Sequence, residues 1–197
     1  MPDDSFVFCS FSNNWKINPP IFDIWMRLLR DVPGSTLWLK DSGDLAAGNL
    51  RREAVARGIN PQRRVFARHV PLEKHIARHA LADLFLDTLP YGAHATATDA
   101  LWSGLPVLTR LGEVYAGRVA ASLLTAAGLP ELITRTVEEY EATALALARD
   151  PGRLKTIREK LAANRASAPL FDTKRFTRGL EAVYETMLKE KTQNRST

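Results

Sequence analysis

The sequence predicts an α/β fold: a Rossmann-like parallel sheet with flanking helices and a C-terminal helical tail. Three observations predict it. Between Ser5 and Thr134, short apolar runs of strand length alternate with longer runs at helical spacing. The short runs, such as FVFC, TLWL and LFL, are apolar almost throughout rather than alternating, as strands covered on both faces are. From Thr136 onward only helical patterns remain.

Taken in order, SFVFCSF (5–11) is the first predicted strand. Asn18-Pro19-Pro20 then opens a helix over 21–30, with Phe22, Trp25, Leu28 and Leu29 three and four residues apart. Pro33-Gly34 turns the chain into STLWLK (35–40), the second strand. SGDLAAGNLRREAVARGI supplies a second helix, with Gly58 as its C-terminal glycine. RRVFA (63–67) is the third strand, and Pro71 starts a helix to about Ala80. ADLFLD (82–87) is the fourth strand, ATDALWSG a short helix and LPVLTR (105–110) the fifth strand. AGRVAASLLTAAG (116–128) reads as helix and ELIT (131–134) as a short sixth strand. Three further helical segments, broken at Pro151-Gly152 and Ala168-Pro169, form the tail, and KTQNRST (191–197) is expected to fray.

Composition narrows the function classes. The chain of 197 residues is 45% apolar and 25% charged, as expected for one soluble domain. Its formal charge of +5 comes from arginines spread along the chain, with no single basic arm, which disfavours a nucleic-acid partner. Cys9, the sole cysteine, lies in a strand-like run and reads as a small buried hydrophobe. No window approaches ~18 consecutive apolar residues, and the acidic start MPDDS is unlike a signal peptide. A cytoplasmic protein without a membrane partner is therefore expected.

In a parallel sheet, ligands bind beyond the carboxyl ends of the strands. Four such ends are unusual here: SFSNNWK (10–16), ARHVPLEKH (67–75), TLPYGAHATATD (88–99) and TRLGEVY (109–115). In the third, Gly92 permits a turn and Ala93, Ala95 and Ala97 keep the backbone uncovered ahead of a helix start. The free amides of that start, near His94 and Thr96, favour an anion such as a diphosphate; a plain threonine-capped start is the other reading. Neither GxGxxG nor GxxxxGK[ST] is present to decide between them. Lys16, in the polar loop Ser12-Asn13-Asn14, is either a second phosphate contact or a solvated lysine. Asp87 and Asp99 bracket the small-residue loop, and Asp99 reads as a cap or as an acceptor for a ribose hydroxyl. His75 and His79 lie four apart, but His69, His94 and Cys9 add no metal-ligand spacing, so no metal is expected.

Four stretches of this sequence, in unbroken order, resemble the second catalytic half of the protein O-linked N-acetylglucosamine transferases, including the plant SPINDLY-type members. They are FCSFSNNWKINP, VPGSTLWL, the long run from RVFARHVPLEKH through LDTLPYGAHATATDALWSGLPVLT to AAGLPELI, and APLFDTKRFTRGLEAVYETM. The resemblance implies a GT-B architecture, in which two Rossmann-like lobes face each other and tetratricopeptide repeats precede them. It makes residues 5–190 the nucleotide-sugar-binding domain, with 191–197 as a tail. It places Asn13 and Lys16 at the diphosphate of UDP-N-acetylglucosamine, and His69, Val70 and His75 along uracil and ribose. The family's glycine–histidine–threonine–threonine run becomes Ala93-His94-Ala95-Thr96, and its following aspartate becomes Asp99, at the ribose. Leu72 stands where the family has a lysine.

By the same resemblance the chemistry is transfer of N-acetylglucosamine to protein serine or threonine. Lys16 would stabilise the departing diphosphate, with no general base and no metal supplied by this chain. SPINDLY-type relatives use GDP-fucose, so that donor stays an alternative, as does a nucleotide-binding module without turnover. The implied partners are the nucleotide sugar, an acceptor protein, and a first lobe and repeats outside this sequence, acting in cis or trans.

Overall fold

The computed structural model describes residues 5–193. Six strands, all parallel, form one sheet in the order β3-β2-β1-β4-β5-β6. They are β1 (Val7–Ser10), β2 (Thr36–Lys40), β3 (Arg64–Ala67), β4 (Leu84–Leu86), β5 (Val107–Arg110) and β6 (Ile133–Thr134). The chain starts in the middle of the sheet, builds outward to β3, returns across to β4 and builds outward again. That is the doubly wound order, with its reversal between β1 and β4.

The strands are buried as their sequences require. Phe8, Cys9, Leu37, Leu39, Leu84, Phe85, Leu86, Val107 and Leu108 are all essentially inaccessible. Charged residues stand only at strand ends, Arg64 at the start of β3 and Lys40 and Arg110 at the ends of β2 and β5. Several helices carry a recognisable boundary signal. α1 (Pro19–Asp31) has Asn18 as N-cap, accepting from the Ile21 amide, and prolines in its first turn. Its apolar stripe, Ile21, Phe22, Trp25, Leu28 and Leu29, is buried. α2 (Asp44–Ala56) ends ahead of Gly58, whose φ of 73° is the left-handed conformation expected of a C-terminal glycine. α3 (Leu72–Arg78) passes into a tight turn at 79–81.

α4 (Ala95–Trp102) begins two residues before the expected ATDALWSG, because small side chains at Ala95 and Ala97 let the helix start immediately after the loop. α5 (Val119–Ala126) follows β5, and with right-handed crossovers α4 and α5 cover one face, in contact with each other. α1 and α6 (Val137–Arg149) meet on the opposite face. Thr136 and Glu139 form a reciprocal capping box at the α6 start.

The C-terminal helices differ in burial. α6 and α7 (Pro151–Asn164) pack back on the domain through Tyr140, Ala144, Leu147, Leu154, Ile157 and Leu161. α8 (Thr173–Gln193) keeps Phe176, Val183, Tyr184 and Met187 exposed, so it alone has the character of a tail. Lys191–Gln193, expected to fray, continue that helix, and 194–197 lie outside the described residues.

Much of the positive charge serves the fold. Arg27 forms a bidentate pair with Glu141, Arg57 meets Asp23 and Glu53, and Arg158 meets Asp83. Arg63 and Arg64 reach inward to backbone carbonyls of Val32, Ser35, Leu50 and Arg51. These arginines tie α6 to α1, α7 to the approach to β4, and the β2–β3 edge to its neighbours instead of forming one cationic surface.

Candidate functional site: a crevice at the reversal of the sheet

Loops 11–18 and 87–94 leave β1 and β4 side by side at the reversal, and their sequences fold them against each other. The first makes one tight turn, Asn14–Lys16, closed by the Lys16 amide donating to the Asn13 carbonyl at 3.0 Å. The second is held at several points. Asn18 Nδ2 donates to the Leu89 carbonyl at 2.6 Å, and the Thr88 hydroxyl to the Tyr91 carbonyl at 2.8 Å. The Gly92 amide donates to the Ala116 carbonyl at 2.9 Å.

Lys16 spans the two loops. Its Nζ donates to the Gly92 carbonyl at 2.7 Å and lies 4.0 Å from the centre of the Tyr91 ring. Burial pulls this ammonium below the ordinary lysine range, against the attraction of Asp87. Tyr91 carries a string of ring contacts: Trp15 edge-on at 5.3 Å, and His94 stacked at 5.4 Å with 18° between planes. His94 in turn meets Tyr115 edge-on at 6.0 Å.

α4 starts directly beyond this cluster. The Ala97 and Thr98 amides both donate to the His94 carbonyl, and no side chain caps the helix. His94 is turned away from that duty, with Nε2 3.3 Å from the Ala116 carbonyl. The amides of Ala95 and Thr96 are therefore the uncapped donors at a helix end, where the dipole favours negative charge. The site thus places an ammonium and a helix start on one side of the reversal.

Beside it, over the ends of β1, β2 and β3, lies a cleft of about 350 Å³ lined by Phe11, Lys40, His69, Val70, His75 and Thr96, among others. His75 stands across from Asp99, Nε2 to Oδ2 4.0 Å, too long for a direct hydrogen bond. Burial and the nearby Arg78 hold the His75 imidazole below its usual range, while Asp99 opposes them. Thr96 belongs to both parts, since it starts α4 and lines the cleft.

The sequence-selected residues therefore fall into two adjoining groups. Lys16, His94, Ala95 and Thr96 surround the helix start, while His69, Val70, His75 and Asp99 are at the cleft. Asn13 separates from Lys16 at the side-chain level, because its Oδ1 accepts from Lys40 Nζ at 2.6 Å. Leu72 is exposed at the cleft wall. His79 does not join His75 in an open ligand pair: it is buried, with Nδ1 2.8 Å from the His75 carbonyl and its ring edge-on at 4.9 Å. Among the described residues, no group of three or more His, Cys, Asp or Glu side chains is arranged to hold a metal ion. Among the same residues, no helix is long and apolar enough to cross a membrane.

Four participants escaped the sequence reading: Lys40, Phe11, Tyr91 and Trp15. Lys40 carried a signal, being the one charged residue at the end of an otherwise buried strand, TLWLK. The aromatic residues carried none, since only the folded loops bring Trp15 to Tyr91.

A doubly wound parallel sheet with an uncapped helix start, a lysine and a cleft at its reversal defines a Rossmann-like α/β lobe with its crevice at the topological switch point. The model of glycosyl transferase family 41 matches residues 1–180, and the chain belongs to that family. It is 39% identical over 189 residues to the UDP-N-acetylglucosamine–peptide N-acetylglucosaminyltransferase of Caenorhabditis elegans, covering 96% of this chain and 16% of that protein. It is 38% identical to the probable enzyme of that name, SEC, of Arabidopsis thaliana, covering 93% of this chain and 19% of the relative. A mutant O-GlcNAc transferase of Thermobaculum terrenum superposes with a TM-score of 0.91 at 35% identity, over 98% of this chain and 38% of that one. The chain thus spans under one fifth of the length of these two curated relatives.

Proposed function

We propose that this chain is the nucleotide-sugar-binding lobe of a protein O-linked N-acetylglucosamine transferase, with UDP-N-acetylglucosamine as donor. The observation that carries the reading is the meeting of Lys16 and the α4 start at the sheet reversal, one step from a cleft lined by His69, Val70 and His75. The cleft takes uracil and ribose, with Asp99 and His75 at the ribose hydroxyls. The diphosphate then lies over α4, where the Ala95 and Thr96 amides and the Lys16 ammonium face its oxygens.

In the reaction, a serine or threonine hydroxyl attacks the anomeric carbon, and the bond from that carbon to the β-phosphate oxygen breaks with inversion. Negative charge grows on the departing diphosphate. Lys16 and the two amides are fixed where that charge develops, so they stabilise the transition state more than the ground state. The hydroxyl proton leaves to a base outside this chain. The partners are the nucleotide sugar, an acceptor protein, and a first lobe with repeats, in cis or trans; nucleic acid and membrane are not among them.

Calorimetry with UDP, UMP and GDP tests the reading. UDP should bind more tightly than UMP, because only UDP places a second phosphate at α4, and more tightly than GDP, because the proposed donor carries uridine. Equal affinities for UDP and UMP would remove the diphosphate from α4. Preference for GDP would replace the donor with a guanosine diphosphate sugar.

A further inference from the structure

We infer that Asp87 is a positioning residue for the diphosphate seat, acting by fixing the loop that carries both Gly92 and the start of α4. The inference rests on the nucleotide-sugar reading above and names what holds that site in shape.

Asp87 follows β4 directly and its side chain is wholly buried. Oδ1 accepts two backbone amides, Thr88 at 2.8 Å and Ala93 at 2.6 Å, and Oδ2 accepts the Thr109 hydroxyl at 2.7 Å. The two amides are the first and sixth residues after it, so one carboxyl oxygen closes the whole loop 88–93 into a ring. The neighbouring strand holds the other oxygen, which fixes that ring to the sheet. The loop also closes tightly on the carboxyl, since a Cβ built on Gly92 would lie 3.0 Å from Oδ2. The Asp87 carbonyl accepts from the Tyr140 hydroxyl at 3.0 Å, which anchors the same residue to α6.

Two functional groups hang from the ring. The Gly92 carbonyl, adjacent to the Ala93 amide, seats Lys16, and Ala93 leads through His94 into the free amides of α4. Moving the Ala93 amide therefore moves the ammonium and the helix start together. The base cleft hangs mainly from β1, β2, β3 and α3 and meets this assembly only through Thr96 and, one turn further along α4, Asp99. Asp87 never approaches the nucleotide itself, yet it controls where the second phosphate is met.

The test compares UDP with UMP on the full chain by calorimetry. Asp87→Ala should lower the preference for UDP over UMP about tenfold, while UMP affinity stays within about twofold. Asp87→Asn keeps an oxygen for the two amides and should recover most of the preference. A general loss of structure would weaken both ligands equally, so the ratio separates positioning from instability. Hydrogen exchange on the parent chain covers the case in which Asp87→Ala fails to fold: the Ala93 amide should exchange more slowly with UDP bound than with UMP bound. If the parent shows no preference for UDP, the nucleotide-sugar reading falls and this inference with it. If the parent prefers UDP and Asp87→Ala keeps that preference, or UDP and UMP protect Ala93 alike, this inference alone is overturned.

Discussion

The Lys16 ammonium donates to the Gly92 carbonyl at 2.7 Å across a sequence separation of 76 residues, and so joins the β1 loop to the β4 loop at the sheet reversal. Two of its three donors remain for a ligand. The bond fixes a flexible side chain at the crevice, so little ordering is left to be done when an anion arrives.

Lys16→Ala should therefore reduce UDP affinity by about tenfold, roughly 1.4 kcal/mol. UMP affinity should change less, because its one phosphate is nearer the cleft. The melting temperature should fall by no more than about 2–4 °C, the effect expected from one lost hydrogen bond of about 1 kcal/mol. Titration calorimetry and a thermal scan of the same sample check both statements; unchanged UDP affinity would return Lys16 to the role of a surface cation.

Gly92 has a steric reason to be glycine rather than a conformational one. A Cβ there would stand 3.0 Å from Asp87 Oδ2 and 3.3 Å from the Ala116 carbonyl, between a buried carboxyl and another loop's backbone. Gly92→Ala should push loop 88–93 outward, costing about 1–3 kcal/mol of stability by overpacking. UDP affinity should drop several-fold with the displaced Lys16 seat. Chemical denaturation and UDP calorimetry measure the two effects, and a variant as stable as the parent that binds UDP equally well would show that the loop yields freely.

The sheet is readable from sequence because each buried strand announces itself as an apolar run, and helices such as α1 and α6 by a cap, at Asn18 and Thr136. The reversal between β1 and β4 is not, because strand order depends on crossovers that no local pattern encodes. The site divides in the same way. Residues 93–96 advertise a helix start through small side chains and Asp99 reads as a cap or ribose acceptor beside them, whereas the roles of His69, Val70 and His75 come from the family resemblance rather than from chemistry visible in the sequence. The family resemblance pairs Asn13 with Lys16, but the Asn13 side chain turns to Lys40, which comes from the neighbouring strand. Asp87 was noted only as the end of a strand. That one of its oxygens holds both Thr88 and Ala93 emerges only from the folded loop.

Stability should depend on pH through Asp87. Burial pushes its carboxyl up to about 7, against the pull of the Thr109, Ala93 and Thr88 donors and of Lys16. A raised carboxyl pKa means that the folded state holds a proton the unfolded state has released. The associated stability is full below about 4 and is lost as pH rises through about 7. Between pH 6 and 8 the parent should lose on the order of 1 kcal/mol from this group, about 2–4 °C in melting temperature. Asp87→Asn has no such proton to lose and should show a flatter profile over that window. On the acid side, burial lowers both His75 and His79 below 6.5, so their contribution is present above 6.5 and lost as pH falls. Thermal scans of parent and variant across pH 5–8 check the prediction, and parallel profiles between 6 and 8 would show that the carboxyl titrates elsewhere.

The 197-residue polypeptide alone should bind UDP-N-acetylglucosamine yet transfer no detectable sugar to peptide serine or threonine. Trp15 and Tyr115 are 65% and 80% exposed beside the proposed diphosphate seat, leaving that side of the site open to water. Transfer needs the acceptor hydroxyl held against the anomeric carbon, which is worth several orders of magnitude in rate, and needs water kept from taking its place. Neither condition is met by one wall of a crevice. On the proposed role of Lys16 and α4 at the leaving diphosphate, supplying the family's first lobe, fused or as a separate chain, should bring transfer into range. A radiolabelled-donor assay on a peptide library, run with UDP-N-acetylglucosamine and then GDP-fucose, makes the measurement. Transfer by the polypeptide alone that disappears with Lys16→Ala would place the whole reaction on this lobe. Silence with the first lobe present, despite retained UDP binding, would make the lobe a nucleotide-binding module without turnover.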